Sequence, residues 1–174
     1  MQENRLHVVL ADDDADDRMI FEDAFNEVRI AHTLDMVANG YALMQYLDEK
    51  PELPDIIFLD LNMPGKSGKE CLKEIRADPK FKEVAVAIYS TAASASDLED
   101  TFIAGANIYV KKPNDFLALK KILADILSIS KLYITDGFNR SNFILSFLDG
   151  SKAHTSKSNL IMPPPYMPPS GPPD

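Results

Sequence analysis

The stretch Asp55–Gly68 reads DIIFLDLNMPGKSG: four apolar residues, Ile56 to Leu59, run straight into Asp60, and the chain then breaks into Asn62, Met63, Pro64 and Gly65. A short apolar run with no polar residue alternating in it is a strand covered on both faces, as in a parallel sheet flanked by helices. A carboxylate at the end of such a strand is costly to bury, so its place asks for a chemical reason.

Working outward, four more apolar runs follow the same plan: Leu6 to Leu10, Leu34 to Val37, Val84 to Tyr89 and Ile108 to Val110. Segments of helical period lie between them. DDRMIFEDAFNEV places Ile20, Phe21, Ala24, Phe25 and Val28 at helical spacing, and GYALMQYLDE does so with Tyr41, Met44 and Leu47. SGKECLKEIRAD carries Cys71, Leu72 and Ile75; ASDLEDTFIAGA begins at the cap candidates Ser96 and Asp97 and stops at Gly105. NDFLALKKILADIL repeats Leu117, Leu119, Ile122, Leu123, Ile126 and Leu127. Strands alternating with helices predict an α/β, doubly wound parallel sheet.

The 174 residues suit one such domain plus a tail. A net charge of −9 argues against a surface that neutralises nucleic-acid phosphates or an anionic membrane. Cys71 is the only cysteine, which excludes an internal disulfide and a cysteine metal knuckle. The start MQENRLHVVLADDD has no basic region followed by a long apolar stretch, and no apolar run approaches the roughly 18 residues of a membrane span; a cytoplasmic protein is expected. The last 44 residues hold seven of the twelve prolines and only three of the 27 acidic residues, so they form a segment of another kind. The expected division is a folded domain over 1–130, a short extension over 131–150 that packs on the fifth helix or a partner, and a disordered Pro/Ser-rich tail over 151–174.

In an open parallel sheet the polar site forms beyond the carboxyl ends of the strands. Strand one ends in ADDDADD, strand three in Asp60, strand four in YSTAAS and strand five in VKKP. Three carboxylates, a hydroxyl and a lysine converge there if strands one, three, four and five lie side by side. Asp12, Asp13 and Asp60 would repel one another at low effective dielectric, and a hard divalent cation relieves that. Mg2+ suits a shallow acidic site of one or two carboxylates, waters and a phosphate oxygen. Three aspartates, Mg2+ and Lys112 sum to no net charge, so a phosphoryl group can enter, and the combination is one for phosphoryl transfer.

VVLADDD, DIIFLDLNMPGKSG, VAIYSTA and AGANIYVKKP together resemble the motif set of the response-regulator receiver domain of two-component signalling, the CheY-like family, over about residues 5–128. The resemblance implies a flavodoxin-like (βα)5 fold with five parallel strands in the order 2-1-3-4-5 and helices on both faces. It implies that Asp60 accepts a phosphoryl group from a histidine kinase or histidine phosphotransfer protein. Asp13, Asp60 and the carbonyl of Asn62 would bind Mg2+, with Asp12 holding a metal-bound water. Ser90 and Lys112 would bond phosphoryl oxygens, the Lys112–Pro113 bond would be cis, and Tyr109 would be the aromatic switch that turns inward with Ser90. Ser90 is taken over the adjacent Thr91 because the family's spacing to the lysine favours it and strand alternation points Thr91 the other way. Such a protein is no enzyme beyond its own phosphorylation and dephosphorylation. Its output would be a protein partner, or a homodimer, through the face of helix four, strand five and helix five.

Other readings fare worse. An aspartyl-phosphate phosphatase or phosphotransferase of the haloacid-dehalogenase type is the alternative, but it wants a second Asp two residues after the nucleophile, where Asn62 stands, and an inserted cap. A flavin carrier of the same topology would be repelled by DDDADD. Asp12, Asp14 and Asp16 begin a calcium-loop pattern, yet Asp17 stands where the turn needs glycine. Asp14, Asp16 and Asp17 read instead as charge at a helix N-terminus. GKSGK would place the first glycine of a nucleotide loop at Asp60. Cys71 reads as core, His7, His32 and His154 have no ligand spacing, and the PPPY of Pro163 to Tyr166 resembles a WW-domain ligand.

Overall fold

The computed structural model describes residues 5–136 and 145–147. Its strands are β1 (Leu6–Ala11), β2 (His32–Val37), β3 (Ile56–Leu59), β4 (Ala85–Ser90), β5 (Ile108–Lys111) and β6 (Leu145–Phe147). The helices are α1 (Ala15–Asn26), α2 (Gly40–Glu49), α3 (Gly68–Ala77), α4 (Ala95–Ile103) and α5 (Phe116–Asp136). All strands pair in parallel, in the order β2-β1-β3-β4-β5-β6. The expected five-stranded order 2-1-3-4-5 is therefore present, in the flavodoxin-like arrangement. β6 is an addition: three residues that pair with β5 at Ile108, Tyr109 and Val110 are too few to show a period in the sequence.

Alternation along the buried strands builds two cores. Val8, Leu10, Ile56 and Phe58 face α1 and α5, where they meet Phe21, Phe25, Leu123 and Ile126. Val9, Ile57, Leu59 and Ile88 face the other way, against Leu43 and Leu47 of α2 and Cys71, Leu72 and Ile75 of α3. Phe21 anchors the first layer, its ring 5.1 Å from that of Phe58 and 5.3 Å from that of Tyr89, both edge-on. Each such side chain contributes about 2–3 kcal/mol through burial. Cys71 is buried as expected, and burial pushes its thiol up to about 11.

Three helical details depart from the periodicity. The inward face of α2 is Leu43 and Leu47, while Tyr41 stands exposed in its first turn beside Gly65. Ile20 and Leu117 likewise face outward although they sit in apolar runs. α4 starts two residues early, because Ser94 rather than Ser96 is its cap: its hydroxyl accepts from the N–H of Asp97 at 3.0 Å. Among the described residues no helix is long and apolar enough to cross a membrane.

Candidate functional site

The carboxyl ends of β1, β3, β4 and β5 meet at one edge of the sheet. Asp12 and Asp60 continue their strands: the N–H of Asp60 donates to the carbonyl of Ala11 at 3.0 Å, and that of Asp12 to Val37 at 3.2 Å. The ladder thus fixes both backbones before any side chain is considered. Asp12 is fully buried, Asp60 nearly so and Asp13 exposed. One carboxylate oxygen from each of the three lies within 4.8 Å of the others, a hard-oxygen set that could hold a divalent cation.

Lys112 enters from the end of β5, its N–H donating to the carbonyl of Ser90 at 2.8 Å. Its Nζ donates to Asp12 Oδ2 at 2.7 Å and to Asp17 Oδ2 at 2.8 Å, and stands 3.6 Å from Asp60 Oδ2. The ammonium also lies 5.1 Å from the centre of the Tyr89 ring. Burial alone would depress its pKa, but the hydrogen bonds to Asp12 and Asp17 and the charge of Asp60 overcome that and hold Lys112 above the ordinary lysine value. Asp60 goes the other way for a carboxylate: burial first, with the charges of Asp12 and Asp13 adding and Lys112 opposing, pushes it up to about 6.

Ser90 ends β4 fully buried, and its Oγ accepts from the N–H of Ala92 at 3.3 Å, whereas Thr91 is exposed. Tyr109 is buried beneath it, and its hydroxyl donates to the carbonyl of Ala92 at 2.6 Å. Burial pushes that phenol up to about 12, so it stays a donor at any physiological pH. Asn62 is exposed on the loop after β3, and its N–H donates to Asp60 Oδ1 at 3.2 Å. The loop turns at Gly65, whose φ of 81° favours glycine, and closes where Gly68 presses on Asp60: a Cβ there would lie 2.1 Å from the Asp60 carbonyl oxygen.

All seven residues singled out from the sequence thus stand at or beside this edge. The expected cis bond is not present: Lys112–Pro113 is trans, as are all the described peptide bonds, the trans form being intrinsically favoured even before proline. Three neighbours escaped the sequence reading. Asp17 is not only helix N-terminal charge but an ion-pair partner of Lys112; Arg18 donates from Nη1 to the carbonyl of Asp12 at 2.7 Å; and the ring of Tyr89 underlies the lysine. Their one sequence signal is position, in the first turn after ADDDA and immediately before Ser90.

A doubly wound sheet with this acidic edge, a hydroxyl on β4 and a lysine after β5 defines a receiver, and the response regulator receiver domain family matches residues 8–124; the chain belongs to that family. Among curated proteins it is similar to the response regulator Rcp1 of Synechocystis sp., 29% identical over 126 residues that cover 70% of this chain and 86% of Rcp1. Among solved structures it is similar to the phosphorylated cyanobacterial phytochrome response regulator RcpA, with a TM-score of 0.66, 27% identity, and coverage of 76% of this chain and 96% of that one. The Mn2+-bound form of Rcp1 aligns with a TM-score of 0.64 at 27% identity, covering 71% and 92%.

Proposed function

We propose that this receiver takes a phosphoryl group on Asp60 from the phosphohistidine of a histidine kinase or histidine phosphotransfer protein. A carboxylate oxygen of Asp60 attacks phosphorus, the P–N bond breaks, and its electron pair leaves on the imidazole nitrogen, which takes up a proton. The product is an acyl phosphate at the end of a rigid strand. The observation that carries this reading is the convergence of Asp12, Asp13 and Asp60 within 4.8 Å, with Lys112 Nζ 3.6 Å from Asp60 Oδ2.

Asp13, Asp60 and the carbonyl of Asn62 would hold a divalent cation, with Asp12 holding a water on it; Mg2+ is our choice, and the Mn2+-bound form of Rcp1 supports a divalent ion of this size class. When bound, the ion supplies positive charge against the phosphoryl oxygens. This chain's own groups complete the neutralisation. Lys112 offers an ammonium to one phosphoryl oxygen and Ser90 a hydroxyl to another, and Gly68 lets the loop pack close enough to keep Asp60 in line. Tyr109, buried with its hydroxyl donating to the Ala92 carbonyl, would be the switch, held inward as Ser90 engages the phosphoryl group. That position biases the face of α4, β5 and α5, through which the receiver would contact an output protein or a second copy. Within the division proposed, 1–130 forms the receiver, 131–150 an extension and 151–174 a tail, and the exchange takes place in the cytoplasm.

The test is direct. Incubating the chain with Mg2+ and a small phosphodonor should add one phosphoryl group by intact mass, and Asp60→Asn should abolish it. Absence of the adduct, or rapid turnover of many phosphoesters in the manner of a phosphatase, overturns the reading.

A further inference from the structure

The reading of Asp60 as phosphoacceptor leaves one strong contact of the site without a role, the ion pair between Asp17 and Lys112. The ammonium has three N–H donors. Two are spent on carboxylates, Asp12 at 2.7 Å and Asp17 at 2.8 Å, while Asp60 stands beyond hydrogen-bond reach at 3.6 Å. The two carboxylates are not equivalent. Asp12 is fully buried and fixed by the N–H of Asp14 at 3.0 Å, whereas the Asp17 side chain is 35% exposed and held only by the first turn of α1. Beneath the lysine lies the ring of Tyr89, so the ammonium is held by three groups while it stands 3.6 Å from Asp60.

Charge makes the consequence specific. Asp12, Asp13 and Asp60 with a divalent cation and Lys112 sum to zero, and Asp17 adds one negative charge 2.8 Å from the one cation that, among the described residues, forms ion pairs there. An incoming phosphoryl group draws on that same ammonium, whose charge Asp17 already partly offsets and whose position it helps to fix. Resting on the phosphoacceptor reading, we infer that Asp17 is a positioning residue that restrains Lys112 from Asp60, so that the phosphorylated state forms and persists less readily than the rest of the site would allow. Asp17 touches neither phosphoryl group nor metal; it acts through Lys112.

The experiment titrates the full chain at saturating Mg2+ with beryllofluoride, a stable mimic of the phosphoryl group, and compares four proteins by calorimetry. Asp17→Asn should bind beryllofluoride about fivefold more tightly than the unsubstituted chain, the scale of one partly exposed ion pair. Asp17→Glu, which keeps the charge, should return to the unsubstituted affinity. Asp16→Asn removes the same charge from the same exposed turn but no contact to Lys112, and should change nothing. Thermal unfolding of the variants checks that each is folded. Equal or weaker binding by Asp17→Asn overturns the restraint, and so does an equal gain in Asp16→Asn, which would make the effect one of overall charge. If the unsubstituted chain binds no beryllofluoride, Asp60 is not the phosphoacceptor, and that outcome is separate from a restraint that fails in a chain that binds.

Discussion

Asp60 is the residue on which the site's tension is concentrated. Burial lifts its carboxyl to about 6, above the ordinary carboxylate value, so the folded chain binds that proton more tightly than the unfolded chain does. The sign follows from linkage: stability contributed by the protonated form is present near pH 4 and is lost as pH rises from there through about 6. In metal-free protein Asp60→Asn should therefore stabilise the fold by about 2 kcal/mol at pH 8 and by little at pH 4, measured by urea denaturation at both values. Lys112 keeps Asp12 and Asp17 as partners in that variant, so no buried cation is orphaned. A destabilised variant at pH 8 would contradict the account. Gly68 is the second sensitive position, since a Cβ would sit 2.1 Å from the Asp60 carbonyl oxygen and 2.8 Å from Leu61 Cα, and backbone cannot swing aside as a side chain can. Gly68→Ala should cost about 2 kcal/mol and also weaken Mg2+ binding, because relief comes only by moving the strand end that carries Asp60. What the sequence made legible at this scale were residues whose address is a strand end, Asp12, Asp60, Ser90 and Lys112. Asp17 was not legible, because its partner is set by how the first turn of α1 stands against the end of β5, a long-range fact no local pattern carries.

Among the elements, the strands were read more closely than the helices. A strand buried on both faces is an unbroken apolar word, and β3 runs over the same Ile56–Leu59 that the sequence marks. Helix faces depend on which neighbour covers them, so Tyr41 and Leu117 fit the period yet stay in solvent. Caps depend on backbone geometry, and Ser94 competes with Ser96 on equal chemical terms until the turn after Ser90 is built. The competition gives a clean comparison. Ser94→Ala removes the acceptor for the N–H of Asp97 and should cost about 1 kcal/mol, while Ser96→Ala, on the exposed first turn, should stay within about 0.5 kcal/mol, both by thermal or chemical unfolding. Equal losses would mean that Ser94 does not cap α4.

At the scale of the whole molecule the receiver core is covered by α-helices on both faces, and on its β5 side the sheet continues through the pairing of Ile108, Tyr109 and Val110 with Leu145, Ser146 and Phe147. That pairing escaped the sequence because a strand of three residues is too short to show a period. It also sits beside Tyr109, on the same face through which the switch is proposed to act. A chain ending at Asp136 retains β1 to β5, α1 to α5 and all of the family-matched 8–124, so it should still fold. Its β5 would then present unpaired N–H and C=O groups, a template for another strand. Two results are expected. The β5 amides that face β6 should exchange hydrogen faster than in the full chain, while β1 and β3 amides, in the sheet centre, keep their protection. The shortened chain should also associate more readily with rising concentration, by light scattering, because an open edge recruits a partner that β6 otherwise forestalls. Unchanged exchange along β5 would mean that β6 does not seal this edge, and any control of the α4, β5 and α5 face would have to lie within the receiver itself.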